Sequence, residues 1–375
     1  MEKTARFVVT FVVLALMVTA CGGDGAEDGP DSSSVDGGET DGGAAACALD
    51  QVDGDLNFYN WSDYMDPELI TAFEEEYAVD IVEDFYESNE AMLSQLQAGA
   101  SYDVIVPSDY MVGIMIQENL LTSINTDAVP NMANLGERFT TLPYDPGNVY
   151  SAPYQYGTTG LGVNKAIVGE DFPRSWALIF NPELTATYPS GVSVLNDSRE
   201  TMGAALKYLG YSLNDTDLAH LQEAADTISA ALGGIATFDS DQYEESLANG
   251  EVPVAHGYSG NMITAIGATA NPDEFEYILP EEGATLWIDN MVVPVNAENP
   301  CTAFTFINYL LDAENGATLT NFNFYGSPNA AALALVESEV VEFYAATEEA
   351  ENLEVIQDTG DYEIHFTDYL AIAKG

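Results

Sequence analysis

The sequence is poor in positive charge. Its 375 residues hold 8 Lys and Arg against 62 Asp and Glu, for a formal charge of −54. An average chain is about 25% charged, which at this length means roughly 47 residues of each sign, so the bases fall short by roughly 39 while the acids exceed by only roughly 15. Nucleic-acid binding is disfavoured, because phosphate neutralisation needs clustered cations. A basic patch for an anionic membrane surface is disfavoured on the same ground. Histidine is scarce too: His220, His256 and His365 stand far apart and none has a metal-ligand spacing. No metal site and no cofactor are expected. A Walker-type phosphate loop is missing, and Gly160-Leu161-Gly162 is not followed by the spacing of a dinucleotide fingerprint. Gly257-Tyr258-Ser259-Gly260 does not meet the G-x-S-x-G spacing of a nucleophile elbow. Carboxylate pairs occur throughout so acidic a chain, so no single pair argues for a glycosidase. An enzyme reading has no positive support. Apolar residues, by contrast, are plentiful: 47% hydrophobic and 11% aromatic excludes a chain disordered throughout. Its length makes two domains the default.

The N-terminus reads as an address. Lys3 and Arg6 precede the apolar run from Phe7 to Val18, too short to span a bilayer and suited to a secretory signal segment, residues 1–20. Val18-Thr19-Ala20-Cys21 resembles the bacterial lipobox, in which Cys21 becomes the lipid-carrying first residue. An ordinary signal peptide with a chance Cys is the alternative. Residues 22–46 hold eight Gly and seven acids with no base and no aromatic. This composition makes a flexible, self-repelling tether, and residues 21–53 are assigned to the lipidated Cys and tether. With Cys21 lipidated, Cys47 and Cys301 remain as an even pair in a disulfide-permissive compartment. A Cys47–Cys301 bridge is expected, two free thiols being the alternative.

After Cys47, strand and helix signals alternate. Leu56–Trp61, Val79–Phe85 and Val104–Val106 read as strands. Asp66-Pro67-Glu68, Ser88 or Asn89, and Ser108 read as helix starts. This βαβ order predicts a mostly parallel sheet covered by helices. Ala152–Asn164, with Pro153 and several Gly, reads as a crossing between domains. A second series follows, with strands at Val192–Leu195, Glu251–Ala255 and Leu286–Val295 and helices at Ser198–Leu209, Thr302–Leu311 and Ala331–Thr347. The expected class is α/β with two lobes: 54–154 with 286–336, and 155–285 with 337–375. A ligand would sit in the cleft between them.

Aromatics stand beside carboxylates at the predicted strand ends: Trp61, Asp63 and Tyr64; Ser108 and Tyr110; Asp197 and Glu200; Tyr258; Trp287 and Asp289. In open α/β sheets ligands bind outside the carboxyl ends of the strands. Aromatic faces attract cations, carboxylates accept charge-assisted hydrogen bonds from ammonium groups, and exclusion of water strengthens both. The mixture describes a slot for a flexible organic cation. Each element has a plainer reading. Asp197 and Glu200 form D-x-x-E at a helix start, which also reads as a capping box. Trp61 and Trp287 also read as core residues, Ser108 as a helix cap and Asp63 as a solvated loop acid. Of the bases after the tether, only Arg199 lies among the candidate site residues.

At these residues the chain resembles the bacterial spermidine/putrescine-binding proteins, the extracytoplasmic substrate receptors of polyamine ABC importers. The matching segments include YNWSDY (59–64), FYESNE (85–90), YDVIVPSDY (102–110), NDSRE (196–200), FDSDQYEESLANGEV (238–252), LWIDNMVVP (286–294) and YGSPN (325–329). The resemblance runs from about residue 54 to the C-terminus. It implies a two-lobed type II periplasmic-binding-protein fold that closes on its ligand. It implies an aromatic box of Trp61, Tyr64, Tyr110, Tyr258, Trp287 and Tyr325, with Asp197, Glu200 and Asp289 meeting ammonium groups. Asp63 matches an acid of the motif, and Ser108, Ser240 and Gln357 match polar contacts. Tyr258 stands where relatives usually carry Trp, and Asn261 where putrescine-type members carry an acid. Asp63 and YNWSDY, by contrast, look more putrescine-like, so putrescine and spermidine both stay open, with the balance towards spermidine or mixed specificity. The implied partners are a polyamine and the importer's permease subunits, with the membrane met only through lipid, no nucleic acid, and a monomeric state. A receptor of this fold for another organic cation or amine, and an acidic surface lipoprotein with a different role, stay open as alternatives.

Overall fold

The computed structural model describes residues 46–348, 350 and 352–375. The signal segment, Cys21 and the tether as far as residue 45 lie outside the described residues. Residues 47–53, assigned to the tether on sequence, are pinned to the folded body. Cys47 is disulfide-bonded to Cys301, with Cα atoms 5.3 Å apart. The Asp53 carboxylate accepts hydrogen bonds from the amides of Cys301 (3.3 Å) and Thr302 (3.0 Å) at the start of the helix Pro300–Leu310. An acid at a helix N-terminus satisfies amides that have no partner within the helix.

The strands are β1 (Leu56–Asn60), β2 (Ile81–Phe85), β3 (Val104–Ile105), β4 (Leu121–Thr122), β5 (Ser151–Asn164), β6 (Val192–Val194), β7 (Ile235–Phe238), β8 (Val254–Tyr258), β9 (Phe275–Ile278), β10 (Ala284–Pro294) and β11 (Leu353–Glu354). The main path across the sheet is β2-β1-β3-β10-β5-β8-β6-β7, with β4 and β11 on β10 and β9 on β5. Each flank is parallel, β2-β1-β3 on one side and β8-β6-β7 on the other. The middle is antiparallel, because β10 runs against β3 and β5, and β5 runs against β8. The sheet is thus mixed where a mostly parallel one was expected. The reason is topological: β5 carries the chain from the first flank to the second and β10 brings it back, so paired side by side they run in opposite directions.

Two large cores lie to either side of this crossing. One is built from residues between Cys47 and Tyr154 and between Trp287 and Tyr325, around Phe58, Phe73, Phe304 and Phe306. The other runs from Leu161 to Ala284 and returns at Phe366–Ala373, around Trp176, Phe180 and Ile228. Both depend on amphipathic helices laid on the sheet. The helices Ser198–Tyr208, Leu218–Ala231 and Glu363–Lys374 pack on one another over the second flank. The predicted caps work locally: Asp66 accepts from the Glu68 amide (2.9 Å) and Ser88 from the Ala91 amide (3.2 Å). The last helical stretch begins later than its sequence signal, at Ser338, after a turn region over 330–335.

Candidate functional site

The parallel strands of both flanks end at the crossing, and their following loops and helix N-termini face one another there. β1 is followed by Trp61 and Tyr64, β3 by Ser108 and Tyr110, β6 by Asp197 and Glu200, and β8 ends on Tyr258. β10 passes between them and contributes Trp287 and Asp289 to one face, as residues two apart in a strand must. The β5–β10 register shifts between Asp289 and Asn290, a bulge of the kind that redirects a side chain beside a site. Gly157 lies opposite Trp287 in that ladder, and a Cβ there would fall 2.6 Å from the indole ring. The glycine is what lets the ring lie flat across the strand.

These elements line a hollow of about 710 Å³, counting the solvent at its mouth. The lining includes Trp61, Tyr64, Ser108, Tyr110, Asp197, Glu200, Ser240, Tyr258, Trp287, Asp289 and Tyr325, that is, eleven of the thirteen candidate contacts. The structure does not bring the other two to it. Gln357 is exposed; its backbone, not its side chain, is engaged, with its carbonyl accepting from Arg199 (3.2 Å), and the neighbouring Ile356 lines the cavity instead. Asp63 is exposed at φ +53° and lines a separate groove. Sequence reasoning did not select Tyr86, Asn89 and Asp109, which also line the cavity. All three sit inside the matching segments FYESNE and YDVIVPSDY, so the signal was present. Ile356 had no such signal, because it arrives from the C-terminal chain by tertiary packing.

The aromatic faces form an edge-to-face cage. Tyr64 meets Tyr325 at 4.9 Å and 82°, Trp287 meets Tyr325 at 5.2 Å and 61°, and Tyr258 meets Trp287 at 6.0 Å and 88°. Trp61 and Tyr86 pack at 4.5 Å, with the Trp61 indole N–H donating to the Val106 carbonyl (2.9 Å). Trp61 and Trp287 line the cavity, and Trp287, 6% exposed, also belongs to the first core, against which Trp61 packs; Trp176, 1% exposed, lies in the second core away from the cavity. Ser108 stands at a helix start but its hydroxyl makes no cap bond. The side chain of Asn89 clamps it instead, donating to Oγ (3.0 Å) and accepting from the Ser108 amide (3.1 Å).

The carboxylates are buried and held in different ways. Asp197 caps the helix Ser198–Tyr208, accepting from the amides of Arg199 (2.8 Å) and Glu200 (3.0 Å). Glu200 does not reach back to complete a capping box; it accepts from the hydroxyls of Thr159 and Thr285, both at 2.8 Å. Asp289 Oδ1 is buried without a hydrogen-bond partner. Burial pushes Glu200 and Asp289 up to about 7 and Asp197 up to about 6. For Glu200 the two threonine bonds partly offset this, for Asp289 the neighbouring Ser108 and Tyr64 hydroxyls. For Asp197 the charge of Glu200 adds to burial while the helix amides oppose it. Asp109, which accepts from the amides of Tyr110 (2.8 Å) and Ile288 (3.3 Å), is pushed well above the carboxylate range by burial and then by the charge of Asp289.

No Lys, Arg or His lines this cavity among the described residues. Arg199, the cation nearest in sequence, is 1% exposed and turned away. Its guanidinium donates to both Glu363 oxygens (2.6 and 2.7 Å) and to Asn214 (3.0 Å), and stacks on Phe366 at 4.3 Å. The Arg199 charge still favours ionisation of Asp197 and Glu200 from a distance, but among the described residues no cation lines the box of rings and buried acids. Such a box suits an organic cation, since methylenes pack on ring faces and ammonium groups balance buried carboxylates. Hydrogen bonds cross the mouth from one flank to the other: Ser62 to Asp241 (3.0 Å), Asn196 to Glu87 (3.4 Å) and the Tyr325 hydroxyl to Asn261 (2.8 Å). Among the described residues, no group of three acids, His or Cys is placed to hold a metal ion and no helix is long and apolar enough to cross a membrane.

Fold and cavity together define a class, a two-lobed binding protein that holds a small solute between its lobes. The chain belongs to the bacterial extracellular solute-binding protein family, whose model matches residues 68–350. A putrescine/cadaverine-binding protein of Pseudomonas aeruginosa is 39% identical over 292 residues, which covers 76% of this chain and 82% of that protein. The spermidine/putrescine-binding periplasmic protein of Escherichia coli is 32% identical over 336 residues, 87% of this chain and 94% of the relative. Among solved structures, a lipoprotein of Treponema pallidum matches with a TM-score of 0.71 at 30% identity, over 85% of this chain and 99% of its own. The family is one of extracytoplasmic transport receptors, not of enzymes.

Proposed function

We propose that this chain is a lipid-anchored polyamine receptor that captures spermidine and putrescine outside the cytoplasm and delivers them to an ABC importer. The observation that carries the reading is the box itself: ring faces around Asp197, Glu200 and Asp289, with no base among its lining in the described residues. The names of the relatives, putrescine/cadaverine-binding and spermidine/putrescine-binding, support the same ligand class. Trp61, Tyr64, Tyr110, Tyr258, Trp287 and Tyr325 hold the methylene chain. Asp197, Glu200 and Asp289 meet ammonium groups, and Ser108 and Ser240 add polar contacts. The lobes are 54–154 with 286–336, and 155–285 with 337–375; the division of the two cores on either side of β5 and β10 supports these limits. Ligand bridges the lobes and shifts the population toward the closed form, which a separate permease recognises. The protein acts as a monomer, transforms nothing and needs no cofactor.

Anchoring rests on Val18-Thr19-Ala20-Cys21. Mass spectrometry of the mature N-terminus checks it: an acylated Cys21 is expected, and a free N-terminus at another residue counts against it. Titration calorimetry with putrescine, spermidine and spermine tests the ligand class. Saturable heat with spermidine is expected. Absence of heat and of thermal shift with every polyamine sinks the reading.

A further inference from the structure

A second acid-lined hollow adjoins the cavity. A groove of about 1460 Å³ opens between the start of the helix Pro67–Tyr77 on one side and the helices Tyr243–Ala248 and Ser259–Gly267 on the other. Asn261 lines both hollows, so the groove begins where the first cavity ends. Asp63 stands on one wall; Glu244 and Glu245 stand on the other. No Lys, Arg or His lines the groove among the described residues.

Glu244 is the telling residue. It is 6% exposed, and its Oε2 is buried with no hydrogen-bond partner. A buried carboxylate oxygen without a donor costs free energy unless a cation reaches it. Burial pushes this carboxyl up to about 7, and the charge of Asp63 across the groove adds to the effect. Between the acids the lining mixes apolar surface, Ala265, Ala268 and the half-exposed ring of Phe322, with uncharged polar groups such as Thr264 and Asn249. Separated carboxylates with apolar patches between them suit an ammonium group on a methylene chain. They do not suit a hard metal ion, which needs several oxygens at once; the described residues offer no such cluster.

We propose that this groove is a second ammonium subsite, with Glu244 as its buried charge and Asp63 facing it from the opposite wall. The ammonium comes either from a long polyamine threaded past Asn261 out of the first cavity or from a second polyamine molecule. The inference rests on the amine reading of the first cavity. It also accounts for Asp63, an acid of the YNWSDY segment that does not reach that cavity.

Titration calorimetry of the full chain with putrescine and with spermine, on wild type and Glu244→Gln, tests it. If a second molecule binds, wild type shows a second, weaker putrescine event that Glu244→Gln abolishes while the first event persists. If one chain spans both sites, spermine binds once, and Glu244→Gln weakens spermine at least ~10-fold, about 1.4 kcal/mol, with putrescine unaffected. Wild-type stoichiometry and a wild-type spermine-to-putrescine ratio in Glu244→Gln overturn the proposal. So does a Glu244-dependent calcium event in place of an amine event. Asp63→Asn repeats the test from an exposed position whose left-handed backbone suits Asn, should Glu244→Gln not fold. Asp289→Asn separates the two readings. It weakens the first event strongly if the polyamine reading holds and changes nothing if that reading fails, whereas the loss caused by Glu244→Gln or Asp63→Asn is confined to the groove event or to spermine.

Discussion

Asp289 and Asp197 are buried almost equally, 5% and 4% exposed, yet they differ in what the protein does with their charge. Asp197 sits at a helix N-terminus, where two amides and the positive end of the helix dipole already stabilise the carboxylate. Asp289 sits on a bulged strand with one oxygen unpartnered. Burial raises Asp197 to about 6 and Asp289 to about 7. Asp197 is thus a structural acid that also lines the cavity. Asp289 has only the neighbouring Ser108 and Tyr64 hydroxyls to offset its burial and keeps Oδ1 without a hydrogen-bond partner, so a cation in the cavity would gain most there. A similar contrast separates Glu363, ion-paired with Arg199, from Glu200, whose hydrogen bonds come from hydroxyls and which feels the Arg199 charge only from a distance.

Asp289→Asn gives the sharpest test of this contrast. Breaking a buried charge pair costs about 3–5 kcal/mol, so spermidine affinity should fall roughly 10²–10³-fold by calorimetry. The unliganded protein should melt at higher temperature, because a buried carboxylate with an unpartnered oxygen is gone; a lower melting temperature would show that Asp289 is a structural residue. Trp287→Ala comes next. Loss of the ring that Tyr64, Tyr258 and Tyr325 all contact removes roughly 2 kcal/mol of cation–π attraction, about a 30-fold loss of affinity.

The pH dependence is expected to be somewhat smaller. Ammonium binding favours the ionised carboxylates, so affinity should fall about tenfold as pH drops from 8 through the values near 7 and 6, with proton release on binding at neutral pH. Stability of the unliganded protein runs the other way. Unfolded carboxylates ionise near ~4, so the folded state binds more protons between there and 7, and the stabilisation from these groups is lost as pH rises across that window. Calorimetry in buffers of different ionisation enthalpy and a melting series measure the two slopes; equal signs would refute the assignment. Asp197→Asn should cost only a few-fold in affinity, since Asn still caps the helix. A loss as large as that of Asp289→Asn would erase the comparison. Gln357→Ala should leave affinity within about twofold, because its side chain is exposed and only its backbone is engaged; by the ~1.4 kcal/mol per decade scale, a tenfold loss would mean a contact worth that much.

Much of this was legible in the chain. Asp66, Ser88 and Asp197 announced helix starts because capping is local chemistry between a side chain and amides two or three residues on. The alternation in LWIDN placed Trp287 and Asp289 on one face before any partner strand was known. Capping logic failed at Ser108, whose hydroxyl is held by Asn89 from another helix, and at Glu200, drawn off by Thr159 and Thr285. Asp63 and Gln357 were misplaced for a related reason: a matching motif fixes a residue's neighbours in sequence, and a left-handed turn or a chain end decides which way it points.

Composition and local pattern by themselves determined that the site would be acidic, aromatic and poor in cations, because few bases exist to fill it. They also determined most helix starts and the strand ends where side chains gather. Only the tertiary structure decided that β5 and β10 run antiparallel, that Arg199 turns to Glu363 and leaves Glu200 to hydroxyls, and that Asp289 keeps an oxygen without a donor. Those outcomes depend on burial and on partners distant in sequence. Desolvation, which sets the value of each carboxylate to a ligand, exists only after packing has chosen which groups lose their water.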